Sequence, residues 1–210
     1  GVPGRGDLDD NWRMAAAALR AVAPGGRVIL CSSAAVYGNQ PGLLREDAAL
    51  RPANSYGAAK REMEQRAAAL AADLNVRLCS LRIGNIAGLD AILGGWRTGF
   101  QLDQFRDGST PARSYIGVAT LARVLADLLA LPDLPGVLNL AQPGEMKMAT
   151  LLDAARLDWV ARPAPDNAIA KVVLDTDLLQ GLAEVPEAEA AQMVQEWRYL
   201  EPHITQGQGR

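Results

Sequence analysis

A short apolar run, Arg27-Val28-Ile29-Leu30-Cys31, leads directly into Ser32-Ser33, and an Ala-rich helical stretch follows after an intervening loop. Glycines flank the run on one side and serines on the other, as in a strand buried on both faces of a parallel sheet. Residues 55–73 have the composition of a helix, and 76–83 of the next strand. Two parallel strands cannot be joined by a tight turn and need a crossover of this kind. Strand, loop, helix, strand therefore limits the chain to an α/β architecture with a parallel sheet.

The rest of the chain fits around that unit. Residues 11–23 read as a helix with Asp9 or Asp10 at its start and Pro24-Gly25-Gly26 at its end. Residues 38–54 read as a loop, and 84–114 as a Gly-rich irregular stretch carrying Trp96, Phe100 and Phe105. Residues 118–131 have helical periodicity closed by Pro132, 137–141 suit a strand, and 148–157 a helix. A Pro-containing connection is expected over 158–170. Short helices are expected over 178–182 and 187–199, and His203 with the C-terminal residues reads as a solvated tail.

Composition excludes several classes of function. The chain has 210 residues, of which 49% are hydrophobic and 21% charged. That is enough for one domain with a small lobe, and too apolar for wholesale disorder. A net charge of −3 argues against a protein that tracks nucleic-acid phosphates. Cys31 and Cys79 cannot build a disulfide framework and read as core residues, and no Cys/His cluster has metal spacing. The single histidine, His203, leaves a Ser-His-Asp hydrolase without a convincing base. No run reaches the ~18 apolar residues of a membrane span, and the first residues lack the apolar run of a signal peptide. A cytoplasmic protein, with no membrane or nucleic-acid partner, is expected.

The chemistry concentrates in Ser32-Ser33-Ala34-Ala35-Val36-Tyr37-Gly38 and Ser55-Tyr56-Gly57-Ala58-Ala59-Lys60. The serines stand past the carboxyl end of the expected strand, where ligands sit in open α/β sheets. Tyr56 and Lys60 are four apart in a helix, so their side chains share one face. An ammonium beside a phenol favours the phenolate and lowers its pKa, giving a base that can take a proton from an alcohol. A serine at the strand end can hold the same oxygen. Such a set suits reversible oxidation of an alcohol, and since no side chain accepts hydride, a nicotinamide has to. Tyr-x-x-x-Lys alone is a common helix-surface pair, and Ser-Ser alone an ordinary cap; the combination is what points to chemistry.

These segments closely resemble the extended short-chain dehydrogenase/reductases, in particular the NAD-dependent epimerase/dehydratase family. A strand ends in Ser-Ser-x-x-Val-Tyr-Gly, a loop carries Glu46 and Pro52, and Tyr-x-x-x-Lys follows. Asn11, Leu81-Arg82-Ile83-Gly84-Asn85-Ile86-Ala87-Gly88, Arg113-Ser114-Tyr115-Ile116-Gly117-Val118 and Val137-Leu138-Asn139-Leu140-Ala141 extend the resemblance in order. It covers residues 1 to about 157. It implies an incomplete doubly wound parallel, Rossmann-like sheet with a small C-terminal substrate lobe. Residues 1–88 would form the C-terminal half of a NAD(P)-binding domain, and 89–210 a mixed lobe with a returning strand and C-terminal helices.

The resemblance further implies Ser33, Tyr56 and Lys60 as the catalytic set. Ser32, Tyr56, Lys60 and Ile86 would contact NAD or NADP, and Ser33, Asn85 and Arg113 the substrate. Read alone, Arg113 is equally a surface arginine and Asn85 a turn residue, while Arg82 reads as structural. The implied function is an NAD(P)-dependent epimerase of sugars or nucleotide sugars, with a homodimer through helices 11–23 and 55–73. The alternatives are a carbonyl or alcohol reductase of the same fold, or a catalytically impaired fragment acting as a binding protein.

Departures from the family pattern narrow this. Dehydratases of the family carry an acid/base pair where this chain has Ala34 and Ala35, so elimination of water is disfavoured. Gly117 replaces a histidine, and the stretch between Asn85 and Arg113 is short. No strand followed by Gly-x-x-Gly-x-x-Gly occurs, and Gly1-Val2-Pro3-Gly4-Arg5-Gly6 has no strand before it. At ~30 residues per βαβ unit, the resemblance implies an N-terminal truncation of roughly 70–90 residues, and with it weaker cofactor binding. An exposed sheet edge is the expected consequence.

Overall fold

The computed structural model describes residues 7–207, with side chains through residue 200. The expected loop around Gly1–Gly6 lies outside the described residues. In chain order the elements are α1 (Asp10–Ala21), β1 (Arg27–Ser33), β2 (Leu43–Leu44), α2 (Ser55–Asp73), β3 (Arg77–Ile83), β4 (Asn85–Ile86) and β5 (Gln101–Gln104). There follow β6 (Ala112–Arg113), β7 (Tyr115–Ile116), α3 (Val118–Ala130), β8 (Val137–Leu140), β9 (Met146–Lys147) and α4 (Met148–Ala154). The chain continues with β10 (Val160–Pro163), β11 (Lys171–Leu174), α5 (Asp177–Gln180) and α6 (Ala190–Gly207).

The organising layer is a parallel sheet in the order β1-β3-β8. Alternation along the strands sends even-numbered residues of β1 to one face and odd-numbered ones to the other. Val28 and Leu30 pack with Ala15 and Leu19 of α1 and with Met63, Ala67 and Ala71 of α2. On the opposite face Cys79 and Leu81 pack with Leu138 and Leu140, and with Val124 and Leu128 of α3 and Leu179 of α5. Helices thus cover both faces, which is the doubly wound α/β layering expected from the sequence.

Two local readings need correction. Cys31, expected in the core, is exposed, while Cys79 is buried. β1 is the terminal strand of the sheet among the described residues, and Cys31 does not join the cluster that encloses Cys79. Burial of β1 therefore alternates, instead of covering both faces as expected. His203 falls within α6, which runs on to Gly207, so it is helical where a tail was expected, and residues 208–210 of that expected tail lie outside the described residues.

The second lobe is built from shorter pieces. β10 lies beside β5, and β2, β11, β6 and β9 form a small sheet. α6 closes the lobe with Met193, Val194 and Trp197 against Leu151 and Leu152 of α4. Glu196 fixes the helix further by accepting hydrogen bonds from the N–H groups of Ala119 and Thr120 at 2.9 and 3.0 Å. The start of α3 is so satisfied by a carboxylate, the charge a helix N-terminus favours. A Cβ on Gly117 would collide with that carboxylate, which accounts for glycine at a position where the family pattern has a large residue. Among the described residues, no helix is long and apolar enough to cross a membrane.

Candidate active site

Two caps position the central side chains. Asn54 accepts a hydrogen bond from Gly57 N–H at 2.8 Å, satisfying a free donor in the first turn of α2. Ser33 accepts from Ala35 N–H at 3.2 Å, which turns the chain out of β1 into a short 3-10 turn, Ala34–Val36. A Cβ on Gly57 would strike the Ala35 carbonyl. Only glycine lets the start of α2 approach the turn this closely, and Tyr56, its neighbour, is brought against the end of β1.

There the Ser33 hydroxyl lies close enough to the Tyr56 phenol to act on its acidity. Lys60, one helical turn on, donates to the Cys31 carbonyl at 2.8 Å and holds its ammonium 5.9 Å from the Tyr56 ring centre. Ser33, Tyr56 and Lys60, expected together from the sequence, are indeed brought to one strand end. Their electrostatics differ from the expected picture. Burial pushes the Tyr56 phenol above its ordinary value, while the Ser33 hydroxyl lowers it in part. Burial lowers Lys60, against the influence of Cys31 and Glu64. Lys60 spends its nearest donor on a backbone carbonyl, so desolvation dominates the phenol and the expected acidification is reversed.

The other expected contacts are more dispersed. Ser32 is buried and donates its hydroxyl to Glu64. Ile86 is partly buried against the α3 cluster, with a packing role for its side chain. Asn85 sits in β4 beside β7, close enough to the Tyr115 phenol to favour its ionised form, and that phenol donates to Asp90 at 2.9 Å. Arg113 donates to the carbonyls of Ala112, Ile169 and Ala170 at 2.7, 2.8 and 3.3 Å. It has no ion pair among the described residues, and burial lowers its pKa from the ordinary guanidinium value. Trp96 and Phe100 pack against the α4–α6 core. A groove of about 790 Å³ between β5 and β10 is lined by Phe105, Arg106, Arg162 and Pro163, and holds none of the expected site residues.

Sequence reasoning missed a buried polar row beneath the site. Ser32, Arg82 and Asn139 are register partners across β1, β3 and β8. Arg82 grips both carboxylate oxygens of Glu64 at 2.8–3.2 Å and donates to the Tyr37 hydroxyl at 3.0 Å. The Asn139 side-chain amide donates to the carbonyls of Leu44 and Asp175, and its backbone N–H donates to Glu46 Oε1. Arg82 was expected to be structural, and its placement agrees. Glu64 carried one readable signal, its position one turn beyond Lys60.

Residues 6–94 match the model of the NAD dependent epimerase/dehydratase family. No curated protein matches the chain. Among solved structures, the chain is similar to a UDP-glucose 4-epimerase from Bifidobacterium longum, with a TM-score of 0.74 at 20% identity over 93% of this chain and 70% of that one. A UDP-glucose-4-epimerase from Stenotrophomonas maltophila gives 0.73 at 19% identity over 97% and 75%. A UDP-glucuronic acid 4-epimerase from Bacillus cereus gives 0.72 at 16% identity over 93% and 68%. Likeness at these identities establishes the Rossmann-like fold.

Proposed function

We propose, for a chain whose residues 6–94 match the NAD dependent epimerase/dehydratase family, that Ser33, Tyr56 and Lys60 carry out reversible oxidation of a sugar hydroxyl, of the epimerase kind. The observation that carries this reading is the meeting of Ser33, Tyr56 and Lys60 at the carboxyl end of β1, where Lys60 donates to the Cys31 carbonyl and stands 5.9 Å from the Tyr56 ring centre. The similar structures were solved with NAD and with UDP or a UDP sugar, which supports NAD and a nucleotide sugar here. A phenol, an ammonium and a hydroxyl converging at a strand end fit the ribose and nicotinamide end of such a cofactor. NAD or NADP, when bound, supplies the acceptor for the hydrogen that leaves the alcohol carbon.

The chain's own residues handle the proton. Ser33 holds the reacting oxygen, and Tyr56 takes its proton and later returns it. Lys60 stabilises the phenolate as it forms, its cation lying within reach of the ring face. Arg113, a half-buried cation without an ion-pair partner among the described residues, offers a clamp for the substrate diphosphate, and Asn85 a contact to the sugar. Ser32 and Ile86 act as supports. Ala34 and Ala35 can neither donate nor accept a proton, which favours epimerisation over loss of water. The outward faces of α1 and α2, where Met14 is exposed and Arg66 stacks on Trp12 at 4.1 Å, are the surface for a homodimer.

Fluorescence titration of the purified chain with NADH tests the reading. Saturable binding that weakens about tenfold in Lys60→Met is expected, which is ~1.4 kcal/mol. Absence of binding at millimolar NADH overturns it in favour of a binding protein. A keto product accumulating with stoichiometric NADH would replace the epimerase by a reductase.

A further inference from the structure

We propose that Glu64 is a positioning residue for this site: it locks the end of β1 to α2 so that Ser33 stays beside Tyr56. The inference rests on the reading of Ser33 and Tyr56 given above. Tyr56, Lys60 and Glu64 lie four residues apart on one face of α2, and each meets a different one of three consecutive residues of β1. The Tyr56 phenol lies beside the Ser33 hydroxyl, which favours its ionised form, Lys60 donates to the Cys31 carbonyl, and Glu64 accepts from the Ser32 hydroxyl. Tyr56 and Lys60 have chemistry to do, whereas Glu64 reaches no open surface. It is 6% exposed, and both of its oxygens are engaged by Ser32 and Arg82.

Arg82 turns that contact into a fixed point. It stands opposite Ser32 in the strand register, and Glu64 bridges the pair from above the sheet. Arg82 also donates to the Tyr37 hydroxyl and the Glu46 carbonyl, at 3.0 and 2.8 Å. The turn after β1 and the loop before α2 are thereby tied to the same guanidinium. A buried ion pair of this kind has no general advantage in stability over a packed apolar pair. What it adds is direction: a bidentate guanidinium–carboxylate contact fixes orientation as well as distance. The side chain it orients, Ser32, is the covalent neighbour of the serine that meets Tyr56.

The test reads the Tyr56 phenol itself, by tyrosine-selective carbon-13 NMR titration, with Tyr56→Phe identifying the resonance. Ser33→Ala removes a hydroxyl that favours the phenolate, so the midpoint moves up. If Glu64 positions Ser33, Glu64→Ala moves it up as well, by about threefold in the dissociation constant. The double variant then titrates no higher than Ser33→Ala alone. Loss of a carboxylate charge by itself would move the phenol the other way, so the sign is diagnostic. Glu64→Met/Arg82→Met, an apolar exchange of the whole pair, covers the case in which Glu64→Ala does not fold, and is expected to give the same upward shift. A midpoint unchanged in the folded variants, or one that adds in full to the Ser33→Ala shift, overturns the proposal. The NADH titration is independent of this readout, so failure of the redox reading and failure of the positioning role are distinguishable.

Discussion

The Tyr37 hydroxyl donates to Asn139 Oδ1 at 2.7 Å and accepts from Arg82 at 3.0 Å, joining the turn after β1 to the far strand of the sheet. Tyr37 and Asn139 are both fully buried. Removing the hydroxyl leaves an acceptor and a charged donor short of a partner, in a place water does not reach. Tyr37→Phe is expected to cost about 1–3 kcal/mol, seen as a lower urea midpoint with an unchanged slope.

Tyr56→Phe removes the proton carrier and keeps the ring. A loss of about 10²–10⁴-fold in sugar interconversion is expected, with NADH affinity held within roughly threefold because Lys60 and the strand end remain. Activity from a coupled assay and affinity from fluorescence separate the two effects.

Alkaline stability should report Cys79. Burial pushes its thiol from 9.0 up to about 11. The native state therefore keeps a proton that the unfolded chain has given up, and stability falls as pH rises through that window. The loss from this group is roughly 2–3 kcal/mol between pH 9 and 11. The buried phenols, Tyr37 and Tyr115, act in the same direction above pH 10. Cys79→Ala should flatten the slope between pH 9 and 10 in urea melts, and Cys31, which is exposed, should react with a thiol reagent while Cys79 does not.

Glu196→Ala takes the carboxylate from the start of α3. A cost of about 1–2 kcal/mol is expected from the lost cap. Hydrogen exchange should show it locally, with faster exchange at the Ala119 and Thr120 amides and little change in β1 and β3.

The elements framing the site were legible because their signals are local. Residues 58–72 are helix formers throughout, and the strands at 27–33 and 77–83 are short, largely apolar runs. Tyr56 and Lys60 at helical spacing needed no tertiary information. β10 gave no signal, since Val160–Pro163 is exposed throughout and exists only by pairing with β5. The stretch was read as a connection for that reason. β11 was missed although Val172, Val173 and Leu174 are all buried, because a four-residue run falls below any useful periodicity. The polar row of Ser32, Arg82 and Asn139 depends on strand register, which no single segment encodes. Cys31 was misjudged on the same ground: which face of a strand is covered depends on the helices laid on it.

The α6 carboxylate that caps α3 has a consequence for biosynthesis. Thr120 and Glu196 are 76 residues apart in the chain, so the ribosome exposes one long before it has made the other. Until Glu196 has emerged as well, the opening turn of α3 has only water for a partner, so the contact that fastens it forms only after α6 has been made.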